Sequence, residues 1–178
     1  MVKIVSVDKT LSPVGGGVWV QVHDYFPEDQ TEQTRRGRLV ALVSVTDLEE
    51  TETMRLVEMG REVLAFLHEQ YFGELEQGVL ARIKESLAKV KKEFGDKVEM
   101  AVLTEVGEVL YAGILGRNRI YAFWEDKGGF VGREPDGEIH GYSFVKRPGV
   151  KIVLGTGSFW EKIGEVRIRK LLDGGKSG

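Results

Sequence analysis

The side chains of this chain best suited to chemistry sit where apolar runs end. Gly155-Thr156-Gly157-Ser158 follows the apolar run Val150 to Leu154 and precedes Phe159-Trp160-Glu161. A strand, a glycine-bearing turn and a helix start together present backbone N–H groups to a phosphate. The turn lacks the lysine of a Walker loop and the spacing G-x-G-x-x-G. Ser158 and Glu161 stand three apart and also read as a capping box. Gly116-Arg117-Asn118-Arg119 places two guanidiniums between apolar segments. It reads either as an exposed turn with solvated arginines or as a small anion-recognition patch built on Arg117 and Arg119. Two carboxylates close other apolar runs: Asp24 in VHDYF and Asp47 in VSVTDLEE. Asp24 fits a polar residue at a strand end, and Asp47-Leu-Glu-Glu50 fits a helix N-cap with an acid at N3, worth about 1 kcal/mol.

Several chemistries are missing. Cysteine is absent, which excludes disulfides, thiolate metal sites and cysteine nucleophiles. His23, His68 and His140 show no metal spacing, and no Ser-His-Asp arrangement stands out. Met1-Val2 offers no N-terminal nucleophile.

Positioning these residues requires a mixed set of elements. Val2 to Asp8 reads as a strand, as does Val18 to Phe26, with a Gly-rich turn between them. Pro27 to Gly37 is polar and reads as a loop. Leu39 to Val45 (LVALVSV) is apolar on both faces, which predicts a central strand covered on both sides. Leu56, Gly60, Val63, Leu67 and Tyr71 recur at helical spacing, as do Leu80, Ile83, Leu87, Val90 and Phe94. The short connection at Gly73 to Gly78 makes this helix pair antiparallel. Val98 to Trp124 then reads as three strands in a meander, with turns at Gly107 and at Gly116 to Arg119. Gly128 to Gly141 reads as a hairpin or flap. Tyr142 to Lys146 and Val150 to Leu154 read as strands, Phe159 to Leu172 as a helix, and Asp173 to Gly178 as a tail or linker.

This order gives an α+β class. Periodicity allows two stacked antiparallel sheets flanked by helices, or one sheet with helices on one side. One domain over residues 1–172 is expected from 178 residues with 42% hydrophobic and 30% charged composition. A net charge of −3 with interspersed signs gives no basis for a nucleic-acid or anionic-membrane footprint. No apolar run approaches the ~20 residues of a membrane span, and the N-terminus lacks a signal-peptide h-region, so a cytoplasmic location is the expectation.

The placement of VHDYF, VTDLEE, Gly116-Arg-Asn-Arg119 and Gly155-Thr-Gly157 resembles the metal-dependent serine/threonine protein phosphatases of the PPM family, over about residues 1–172. The resemblance implies a four-layer αββα sandwich and two divalent metals (Mn2+ or Mg2+) that clamp an in-line displacement at phosphorus. It makes Asp24 the early metal ligand and Asp47 the ligand before the first helix. It also locates departures. Leu48 stands where the family has glycine, Arg117 where it has an acid, and Thr156 where it has a metal-binding Asp. No terminal Asp-Asn occurs. A carboxylate near 4 Å from a dication contributes roughly 8 kcal/mol of gross attraction at an effective dielectric of about 20. Asp24 and Asp47 are thus expected as a residual pair, with no metal cofactor and no catalytic residue. The resemblance implies a catalytically degenerate, pseudophosphatase-like binding or regulatory module with an unidentified protein partner. The alternatives are an active phosphatase with a reduced site, drawing on carboxylates such as Asp8 or Glu161, and an unrelated α+β ligand-sensing or interaction domain.

Overall fold

The computed structural model describes residues 17–47, 53–73 and 77–174. Its elements are β1 (Val18–Tyr25), α1 (Gln30–Arg36), β2 (Arg38–Thr46), α2 (Thr53–Phe72), α3 (Val79–Phe94), β3 (Val98–Val106), β4 (Val109–Leu115), β5 (Arg119–Trp124), β6 (Lys127–Phe130), β7 (His140–Val145), β8 (Lys151–Gly155) and α4 (Gly157–Leu172). The strands form two antiparallel sheets, ordered β1-β2-β3-β4-β7 and β6-β5-β8.

Strand alternation divides the interior into three apolar layers. Leu39, Ala41, Val43 and Val45 of β2 and Val98, Met100 and Val102 of β3 face the α2–α3 pair, packing on Leu67, Ile83 and Leu87. The intervening residues Leu42, Ala101, Leu103, Ala112 and Ile114 face the smaller sheet, against Ile120, Ile152 and Leu154. The other face of that sheet, with Tyr121, Phe123 and Val153, lies under Trp160 and Ile168 of α4. Helices, sheet, sheet, helix: the fold is a four-layer αββα sandwich of α+β class. β2 is central and buried along its length, as its two-sided apolar pattern requires.

Three elements differ from the sequence reading. The polar stretch Pro27 to Gly37 contains α1, capped by Asp29, which accepts from the Glu32 amide at 2.9 Å. Gly37 ends this helix at φ 68°, and a Cβ there would lie 1.8 Å from the Glu105 carbonyl oxygen, so the site demands glycine. β3, β4 and β5 do not form one meander, because β5 leaves for the second sheet. The stretch between β4 and β5 is therefore a crossing between layers, pinned by Asn118. Its side chain is fully buried, donates to the Glu99 carbonyl at 3.1 Å and accepts from Ser44 at 3.3 Å. Finally, α4 begins two residues early, at Gly157, and kinks at Gly164 (φ 66°). The Val2 to Asp8 strand, the Leu48 to Glu50 half of the Asp47 cap and the last four residues lie outside the described residues.

α1 also completes α2. Arg36 donates to the Phe72 carbonyl, and Arg82 of α3 donates to the carbonyls of Tyr71 (3.1 Å) and Gly73 (2.7 Å). Two guanidiniums thus satisfy carbonyls at the C-terminus of α2 and complement its dipole.

Candidate active-site edge

The strands expose two polar ends, which we call near and far. The near end gathers the start of β1, the end of β2, the start of β3, the crossing at Gly116 to Asn118, the end of β8 and the first turn of α4. Asp47 lies here, just past β2. Its backbone N–H donates to the Gly17 carbonyl at 2.8 Å, and its carboxylate pairs with Lys97 at 2.5 Å. Glu99, on β3, points toward the second sheet and pairs with Arg117, whose Nε lies 2.8 Å from its Oε1. That contact holds the Arg117 guanidinium further above its ordinary value, by the hydrogen bond first and the charge of Glu99 second.

Arg117 backs directly onto the Gly155-Thr156-Gly157 turn, since a Cβ on Gly157 would stand 2.9 Å from that of Arg117. The turn itself is spent on structure. Thr156, not Ser158, is the N-cap of α4, and its hydroxyl accepts from the Phe159 amide at 3.2 Å. The Ser158–Glu161 capping box is therefore corrected: the cap lies two residues earlier, and Ser158 sits inside the helix, its hydroxyl 3.2 Å from that of Thr156. The indole N–H of Trp160 donates to Gly155 and Arg119 carbonyls at 3.0 and 3.2 Å, locking the helix start to the strand ends. Arg119 faces Glu134 at 3.1 Å and lies over the Phe130 ring at 3.5 Å. Arg117 and Arg119 thus sit at one edge, each bonded to a carboxylate.

Asp24 belongs to the far end. Because β1 and β2 are antiparallel, Asp24 lies opposite Val40 while Thr46, the residue before Asp47, lies opposite Val18. Six residue steps separate the two positions, about 20 Å at the rise of a strand. Both carboxylate oxygens of Asp24 are engaged by Arg38, at 2.8 and 2.9 Å. That contact raises the Arg38 guanidinium above its ordinary value, chiefly through the hydrogen bond. Glu105 and Lys146 continue the row as a second pair.

The structure therefore brings Asp47, Arg117, Arg119 and Thr156 to one edge and leaves Asp24 at the other. Two carboxylates so far apart cannot share an ion whose oxygen ligands lie at about 2.0–2.6 Å. Among the described residues, no group of three or more His, Asp or Glu side chains gathers to hold a metal ion. Among the described residues, the donor set that a pair of dications needs does not assemble. The sequence reading missed Lys97, Glu99, Asn118 and Ser44. The signal for Glu99 was its parity: it alternates with Val98 and Met100, so it faces the inter-sheet layer at a strand start.

No protein-family model and no characterised protein matches the sequence. Solved structures do match. PppA, described as a key regulatory component of T6SS in Pseudomonas aeruginosa, superposes with a TM-score of 0.54 at 10% identity, covering 91% of this chain and 86% of that one. The phosphatase domain of the cell fate determinant SpoIIE from Bacillus subtilis gives 0.55 at 9% identity, covering 93% and 72%. The catalytic domain of the serine threonine protein phosphatase PstP, in complex with two manganese ions, gives 0.54 at 13% identity, covering 86% and 84%. At these identities the likeness is one of fold, and the fold of this chain is that of the PPM-type protein phosphatases.

Proposed function

We propose that this chain is a catalytically degenerate PPM-type domain that works as a binding or regulatory module rather than as a phosphatase. One observation carries the reading: the carboxylates at the near end are matched by the protein's own cations, Asp47 by Lys97 and Glu99 by Arg117. An ammonium and a guanidinium supply positive charge beside Asp47 and Glu99, and Asp47 is the position that the PPM resemblance makes a metal ligand. A dication would have to displace them and would still lack a third carboxylate among the described residues. Thr156, at the turn after β8, supplies a neutral hydroxyl already committed to capping α4. Fold and activity are separable, and the site decides the second.

The test is hydrolysis of p-nitrophenyl phosphate and of a phosphothreonine peptide across a manganese titration. Rates indistinguishable from buffer at every manganese concentration are expected. Manganese-dependent turnover abolished by Asp47→Ala would establish instead an active phosphatase with a reduced site.

A further inference from the structure

A groove of about 790 Å3 runs between the edge strand of each sheet, β7 on one side and β6 on the other. Its floor and walls are apolar, with Trp124, Phe130, Tyr142, Phe144 and Val150 among the lining residues. Among the described residues, its only charged lining side chains are two cations, Lys127 and Arg147, on a chain whose net charge is −3. The Arg147 guanidinium lies 5.4 Å from the centre of the Trp124 ring.

The backbone along β7 is arranged to accept a strand. Lys146 donates its amide to the Glu108 carbonyl at 2.9 Å, which makes 108 and 146 a hydrogen-bonded pair. Antiparallel alternation then turns Phe144 and Tyr142 toward β4 and turns the N–H and C=O groups of Gly141, Ser143 and Val145 away from it. Among the described residues, β7 pairs with β4 alone. Edge strands are normally blunted by lysine, proline or a bulge, and HGYSFV carries none of these. Val145 is instead 68% exposed at the mouth of the groove.

We propose that this groove binds an extended, acidic segment of a partner protein by strand addition to β7. The segment's alternate side chains would enter the apolar groove, and its carboxylates would meet Lys127 and Arg147. Main-chain bonds to Gly141, Ser143 and Val145 give register, and the two cations select acidic over basic sequences. The inference is independent of whether the near end hydrolyses phosphate.

The probe is a fluorescein-labelled nonapeptide in which serine alternates with three central valines and two terminal glutamates, so that valines and glutamates share one strand face. It is titrated into the full chain at low salt, with lysine in place of glutamate in the control. Saturable binding of the acidic peptide alone is expected. The double variant Lys127→Glu, Arg147→Glu should weaken it at least about tenfold, because both rim charges are reversed. Val145→Pro removes one outward amide without touching the β4 ladder and should weaken it similarly. By hydrogen exchange, the Ser143 and Val145 amides should be fast in the free chain and slow with peptide. Equal binding of the lysine peptide, or no response to the charge reversals, would overturn the proposal. So would protection of those amides in the free chain: concentration-dependent protection would assign the groove to a second copy, and concentration-independent protection to the chain's own N-terminal segment.

Discussion

The two polar ends of the sandwich use the same chemistry at different depths. At the far end Asp24, Arg38, Glu105 and Lys146 alternate in sign across strands β1, β2, β3 and the end of β7, and the Lys146 side chain is only 3% exposed. At the near end the carboxylates of Asp47 and Glu99 are largely covered, yet their cations are open, with Lys97 51% and Arg117 66% exposed. Removing one member of a buried pair strands the other charge away from water, whereas an exposed partner is readily replaced by solvent. The far end therefore acts as a structural clasp. The near end is a set of held carboxylates whose counter-ions are the chain's own exposed side chains.

The sharpest way to break this contrast is at the clasp. Lys146→Ala removes a cation from the covered Glu105 carboxylate and should cost about 3 kcal/mol in urea denaturation. A loss below about 1 kcal/mol would make the two ends equivalent.

The far end is also buttressed by Tyr71, whose hydroxyl donates to the Arg36 carbonyl at 2.6 Å beside Thr104. Burial is the main reason that its phenol is pushed up from 10.0 to about 12. Below pH 10 the phenol is protonated in both folded and unfolded chains, and its full contribution is present. Between pH 10 and 12 only the unfolded chain ionises it, so stability falls as pH rises, by roughly 3 kcal/mol in all. Thermal unfolding from pH 9 to 12 should show this alkaline loss, and Tyr71→Phe should flatten it while lowering stability at neutral pH. An unchanged slope in the variant would remove Tyr71 from the account.

The smallest effect belongs to the near end. Arg117→Ala should change stability by less than about 1 kcal/mol, with a difference that shrinks further in high salt. A larger, salt-independent loss would show that Arg117 is structural in the way Lys146 is.

Much of this layout is legible in the amino-acid sequence. LVALVSV announces its central position by being apolar on both faces, and the stripes of α2 and α3 announce a helix pair. α1 is hidden because its seven residues carry little apolar surface, although Asp29, Glu32 and Gly37 are cap signals at the right spacing. The turn at Gly116 is visible, but a turn marks only where a strand stops. That β5 joins another sheet depends on the buried Asn118 contact with Ser44 and Glu99, residues 74 and 19 positions away. For the site, the error was geometric. Asp24 and Asp47 both close a strand, and in an antiparallel pair consecutive strands end at opposite edges. The alternation that placed the core residues correctly would also have separated these two carboxylates and put Glu99 beside Asp47's end.

The central claim is that the near-end carboxylates are held by Lys97 and Arg117 and do not collect dications. Calorimetric titration of the full chain with Mn2+ at neutral pH measures it directly. The account predicts no saturable binding tighter than about 1 mM, a free energy no larger than about 4 kcal/mol. Two-site micromolar binding lost in Asp47→Asn would contradict it.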